Sequence, residues 1–183
     1  MLLLIVGPSG AGKDTLINGA RAALASDHRV RFVRRVITRK ADDGEEAHDT
    51  LTEQAFEVRR AAGEFALTWR AHGLHYGIPA DIGADLAAGR VVVANVSRAV
   101  VGEAAERYPA RVVEVSAPAD VLARRLAARG REDAVDVARR LSRQIELPLP
   151  VEREVIVNDG TLDAGTRKLV VVINRAVADA PQS

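Results

Sequence analysis

An α/β fold with a mainly parallel sheet and helices on both faces is predicted by three observations. The chain opens on a short, continuously apolar run, residues 1–6, which suits a strand buried on both sides in a parallel sheet. Strand-like and helix-like segments then alternate to the end, the pattern of crossover connections between parallel strands. No internal repeat, low-complexity segment or dividing linker interrupts the 183 residues. A single domain spanning 1–183 is therefore expected, long enough to bury roughly 70% of its unfolded surface without staples.

The first strand runs into Gly7, Gly10 and Gly12, and Lys13 follows directly. The spacing, glycine, four residues, glycine, lysine, is that of a phosphate-binding loop, in which backbone amides and a helix N-terminus cradle phosphates and the lysine reaches the transferring group. Gly7, Pro8, Ser9, Gly10, Ala11, Gly12, Lys13, Asp14 and Thr15 thus form a candidate nucleotide site. Asp14 stands where a serine or threonine normally holds Mg²⁺, and Thr15 is the next hydroxyl, so both are candidate metal ligands. An alanine-rich helix over 13–26 follows the loop, as the motif requires.

Residues 30–37 read as one strand that delivers Thr38, Arg39 and Lys40 to a polar loop. Arg34 and Arg35 point to opposite faces of it, so at most one faces a site. Thr52 caps a helix to about Ala62, residues 65–71 form a strand, and His72, Gly73 and Leu74 read as a turn before His75, Tyr76 and Gly77. The two histidines have no carboxylate or thiol cluster beside them and are read as part of that turn rather than as a metal pair; Trp69 reads as core. Residues 80–88 form a helix stopped by Gly89, 91–96 a buried strand, 97–107 a helix and 111–116 a strand. Pro118 opens a helix stopped by Gly130, a second spans about 133–144, and a short strand at 154–157 precedes a closing helix at 162–178.

The formal net charge of +1 argues against a nucleic-acid coat, yet only Lys13, Lys40 and Lys168 are lysines among 26 basic residues. Arginine dominance suits bidentate phosphate recognition. Seven arginines lie between Arg124 and Arg143, a pattern expected of a lid that closes over phosphates, with Arg129 and Arg140 as its candidate catalytic members. The absence of cysteine excludes disulfides and thiolate metal sites. The opening apolar run is too short for a signal-peptide core and no run reaches membrane-spanning length, so a cytoplasmic location without a membrane partner is expected.

Taken together, GPSGAGKDT, VRRVITR, GEFALTW, HGLHYGIP and VVVANVSRAV resemble the guanylate-kinase-like nucleoside monophosphate kinases, over nearly the whole chain. The branch with the greatest likeness is that of the ribose 1,5-bisphosphate phosphokinases of phosphonate breakdown. The resemblance implies a P-loop kinase fold with an acceptor-binding insertion at about 37–77 and a lid at about 124–143. It also implies ATP and Mg²⁺ as cofactors, 5-phosphoribosyl 1-diphosphate as product, and Asn158 in the adenine-side loop.

Guanylate kinases carry a second phosphate-gripping arginine that here is missing or has become Lys40, a tyrosine near His48, and an acidic residue after the strand where this chain has Asn95, Val96, Ser97 and Arg98. A neutral amide, a hydroxyl and a cation suit an anionic sugar bisphosphate better than a purine edge. The acceptor is expected against Arg35, Arg39, Glu45, His48, Tyr76, Asn95, Ser97 and Arg98, with Lys13, Arg39, Arg129 and Arg140 meeting charge on the transferred group. The rivals are a GMP kinase and a guanylate-kinase-like binding module without catalysis. The sequence leaves the oligomeric state open.

Overall fold

The computed structural model describes residues 1–38, 48–128 and 151–180. The expected helix at 133–144, the arginines Arg39, Arg129 and Arg140, and Glu45 lie outside the described residues. Nine strands and six helices are described: β1 Leu2–Val6, α1 Lys13–Ala23, β2 Val30–Phe32, β3 Arg35–Ile37, β4 His48–Thr50, α2 Glu53–Ala61, β5 Phe65–Ala71 and β6 Leu74–Pro79. After these come α3 Ile82–Ala87, β7 Val91–Asn95, α4 Val101–Arg107, β8 Ala110–Ser116, α5 Ala119–Ala128, β9 Arg153–Val157 and α6 Leu162–Asp179.

Two sheets result. One is entirely parallel, in the order β2-β7-β1-β8-β9. Its central strand explains why the opening run has no polar face: β1 is fully buried, with Leu3 and Ile5 packing on one side and Leu2, Leu4 and Val6 on the other. The first side is covered by α1, α5 and α6 through Leu16, Ile17, Ala20, Leu122, Leu169 and Ile173. Ile82, Val100, Val101 and Ala104 cover the second, together with Ala66, Leu67 and Ile78 of the other sheet.

That other sheet has the order β4-β3-β6-β5, with β3 and β4 parallel and the remaining pairs antiparallel. Its existence corrects two sequence expectations. The run 30–37 is not one strand: β2 pairs with β7, Val33 still donates to the Val93 carbonyl at 2.9 Å, and the chain then leaves for the second sheet as β3. Residues after the His72-Gly73 turn form a full strand, β6, closing a hairpin with β5. Gly77 makes that pairing possible, because a Cβ there would lie 2.5 Å from the Phe65 ring, which stacks on Phe56 of α2 at 4.6 Å. The helix expected over 97–107 begins as a 3₁₀ turn, Arg98–Val100, capped by the Ser97 hydroxyl.

Asp85, buried on α3, is the electrostatic fastener between α3 and the parallel sheet. It accepts from Arg31 of β2 and, at 2.9 Å, from Arg90, while Arg31 also pairs with Asp81. Removing one member of such a cluster strands its partners. Asp85→Ala is therefore expected to destabilise the fold by roughly 3 kcal/mol, the low end for a buried pair because Arg31 and Arg90 keep some solvent. A urea midpoint unchanged from that of the parent chain would contradict this.

Candidate active site

The site is assembled at the carboxyl ends of β1, β7 and β8, where a doubly covered parallel sheet leaves a crevice. The loop after β1 turns through positive φ at Gly7, Gly10 and Gly12 (145°, 83° and 89°). At Gly7 a Cβ would lie 2.0 Å from the Val115 carbonyl oxygen, and at Gly12 it would meet the Asn158 amide nitrogen at 2.5 Å. Both positions therefore need glycine for space as well as for conformation.

Lys13 begins α1. Its ammonium donates to the carbonyls of Gly7 and Pro8, at 2.7 and 3.0 Å, which keeps the charge folded over the loop mouth. From behind, the buried Asn158 donates to the Ala11 carbonyl at 2.7 Å, and Arg125 of α5 reaches the carbonyls of Gly10 and Ala11 at 3.4 Å each. Four loop carbonyls are thus held by side chains, those of Gly7 and Pro8 by Lys13 and those of Gly10 and Ala11 by Arg125 and Asn158.

Asp14, in the first turn of α1, accepts from the Asn95 amide at 2.7 Å, and the same carboxylate oxygen lies 3.6 Å from the Arg35 guanidinium. Arg35 belongs to β3 and is only 16% exposed; its guanidinium carbon sits 5.9 Å from the Tyr76 ring centroid. Tyr76 in turn stacks on Trp69, at 5.3 Å and 6°. Arg34, by contrast, turns outward to Asp49 at 3.0 Å, so Arg35 is the member of the pair on the site side.

With this geometry in hand, the relatives are informative. A ribose 1,5-bisphosphate phosphokinase of Methylobacterium radiotolerans is 49% identical over 170 residues, covering 92% of this chain and 94% of that protein. One from Brucella melitensis is 51% identical over 142 residues, covering 77% and 74%. The chain belongs to the ribose 1,5-bisphosphate phosphokinase family. A bifunctional ribose 1,5-bisphosphokinase-thymidine phosphorylase of Azorhizobium caulinodans is 50% identical over 94% of this chain, which spans 25% of that protein. No family model matches the chain. Among solved structures, a guanylate kinase from Anaplasma phagocytophilum superposes with a TM-score of 0.71 over 96% of this chain and 85% of its own, at 16% identity. That likeness shows the α/β kinase fold.

Within this family member, Asp14, Arg35, Asn95 and Tyr76 form one connected group, Lys13 directly precedes Asp14 with its ammonium on the loop carbonyls, and Asn158 supports the loop from its buried side. His48 is half-buried on β4, in register with Arg35. Ser97 and Arg98 each have a partner near the strand end. The Ser97 hydroxyl caps its own turn, and Arg98 donates at 2.5 Å to Glu114 of β8, which also lies 3.5 Å from Arg153.

His72 sits in the tight turn with φ of 53°, while the His75 imidazole lies 3.3 and 3.6 Å from Glu53 and Glu57. Among the described residues no group of three metal-ligating side chains forms, and no helix is long and apolar enough to cross a membrane. Sequence reasoning counted Arg125 only among the lid arginines and not at the phosphate loop, and Trp69, read as core, packs on the core and also backs Tyr76. The first had a signal: Arg125 lies three residues after the buried Leu122 and four after Val121, on the inward side of α5.

Proposed function

We propose that the chain transfers the γ-phosphoryl group of ATP to the 1-phosphate of ribose 1,5-bisphosphate, giving ADP and 5-phosphoribosyl 1-diphosphate, in phosphonate breakdown. The observation that carries this reading is the meeting of Arg35, on a separate mixed sheet, and Asn95 with Asp14, the residue that follows Lys13 at the mouth of the glycine loop. One side has the chemistry of a polyphosphate donor site and the other that of an anionic acceptor. The names of relatives at about half identity supply the substrate.

An oxygen of the acceptor's 1-phosphate attacks the γ-phosphorus while the bond to the β-phosphate bridging oxygen breaks and ADP leaves. That oxygen is already ionised at neutral pH, so no general base is required, and the protein's task is positioning and charge neutralisation. Loop amides and the α1 N-terminus hold the β- and γ-phosphates. The Lys13 ammonium exchanges its carbonyl partners for the oxygens on which charge develops. The exposed Thr15 hydroxyl is the hard oxygen donor that would hold Mg²⁺, and the Asp14 carboxylate, whose Oδ1 is engaged by Asn95, would reach the ion through water. When bound, the ion neutralises charge on the donor oxygens.

Arg35 and Tyr76 face the acceptor, with His48 at the same sheet. Arg39, Arg129 and Arg140 are assigned to charge on the transferred group, and Glu45 to the ribose hydroxyls. Ser97 and Arg98 shape the strand end. The soluble substrates and the cysteine-free composition fit a cytoplasmic enzyme of one kinase domain. Incubation with MgATP and ribose 1,5-bisphosphate, followed by ³¹P NMR, should show a diphosphate ester appearing in step with ADP. ADP formation that does not depend on the sugar would refute the reading.

Asn158 has a separate role here, as a brace. Losing one neutral hydrogen bond to a loop carbonyl costs about 1 kcal/mol, so Asn158→Ala should raise the KM for MgATP roughly fivefold with a smaller effect on the acceptor KM. An unchanged nucleotide KM would show that the loop keeps its shape without that bond.

A further inference from the structure

We propose that Asp14 is a positioning residue for the acceptor: it holds Arg35 and Asn95 in their binding orientation and thereby ties the acceptor sheet to the nucleotide loop. This rests on the phosphoryl-transfer reading above. A carboxylate directly after the loop lysine is costly, because it places negative charge beside a bound triphosphate; the α1 N-terminus offsets only part of that repulsion. The geometry shows what balances it. The Asp14 carboxylate accepts from an amide on β7 and stands beside a guanidinium on β3, so residues from the start of α1, the parallel sheet and the mixed sheet meet at one oxygen.

Arg35 is the member of this group that needs holding. Arginine side chains carry large rotamer entropy, and a planar fork grips a phosphate bidentately only when its plane is fixed. Here the plane is bounded by Asp14 and by the face of Tyr76, itself backed by Trp69. Asn95 is 9% exposed at the end of β7, and its amide is oriented by the same carboxylate. An acidic residue at 95 would lose this donor. The departures at positions 14 and 95 therefore form one unit, in which the loop's usual hydroxyl is exchanged for a carboxylate that serves the acceptor side.

The test is a double-mutant cycle of Asp14→Ala and Arg35→Ala, with Asp14→Asn as a milder variant that retains an acceptor for Asn95 but loses the charge. Calorimetric binding of ribose 1,5-bisphosphate and of GMP to the parent chain identifies the acceptor used in the cycle, so failure of the functional reading is seen separately. The expected result is that both Asp14 variants weaken acceptor binding about tenfold, the size of a charge-assisted hydrogen bond. In the Arg35→Ala background, Asp14→Ala should change acceptor binding less than about twofold, because the two act as one unit. Binding of a fluorescent ATP analogue and the Mg²⁺ concentration at half-maximal rate should each shift less than about twofold, a split that general loss of structure does not produce.

Additive effects in the cycle would overturn the proposal. So would a large rise in Mg²⁺ requirement with acceptor binding intact, which would make Asp14 a metal ligand first. A parent chain that binds neither acceptor overturns both this proposal and the functional reading.

Discussion

Lys13→Ala is expected to lower kcat by about 10³-fold or more while leaving the melting temperature within a few degrees of the parent chain. The size follows from what the ammonium does: single preorganised donors aimed at developing charge are worth about 10² to 10³ in rate, and a full cation on a transferring phosphoryl group lies at the upper end. The small effect on folding follows from where it sits. Its partners in the structure are two loop carbonyls, at 2.7 and 3.0 Å, on the partly exposed mouth of the site. Those carbonyls reach water when the side chain is truncated, and no apolar core is opened. Lys13→Arg should not rescue the rate, because a guanidinium is bulkier and cannot replace a compact point charge over the loop. Near-parental turnover in Lys13→Ala would remove the loop from the chemistry altogether.

Much of this arrangement is written in local pattern. β1 was legible because burial on both faces forces a run without polar interruption, and the loop was legible because its glycines are needed for both conformation and space. The helices were found wherever capping residues agreed with periodicity, as at Thr52, whose hydroxyl accepts from the Ala55 amide. What the pattern hid was tertiary. Nothing between residues 30 and 37 announces that the chain changes sheets after Val33, since both halves alternate like one strand. β6 was obscured by Gly77 and Pro79, which read as breakers until the Phe65 ring is seen lying over Gly77.

The site shows the same division. Lys13 and Asp14 are named by the motif, but the partners of Asp14 lie 21 and 81 residues away in the chain, and only folding brings Arg35 and Asn95 to it. Asn158 was placed near the nucleotide by resemblance, whereas its contact is with the back of the loop at Ala11. Arg98 reads as an available cation in sequence because its partner, Glu114, sits on a strand sixteen residues on. A lone acid in an otherwise apolar run, as in VVEV, is the one local sign that such a partner is needed.

The second large effect is acceptor choice. Reading a guanine base requires buried polar groups that match its edge, and a site built that way rejects ligands leaving those groups unpaired by roughly 10⁴-fold. This chain shows the converse. At the end of β7 the polar group is an amide, and it is already engaged by Asp14, while the cation of Arg35 lies 3.6 Å from the same carboxylate oxygen. Arg98, which could have faced a base, is spent on Glu114. A purine would meet, among the described residues, an amide that Asp14 already engages, whereas a sugar bisphosphate brings a second phosphate to Arg35. The most direct measurement is the ratio of kcat/KM for ribose 1,5-bisphosphate and GMP at saturating MgATP. A ratio of about 10³ or more in favour of the sugar is expected, and a ratio at or below unity would make the protein a guanylate kinase and contradict the reading of Asp14, Arg35 and Asn95 given above.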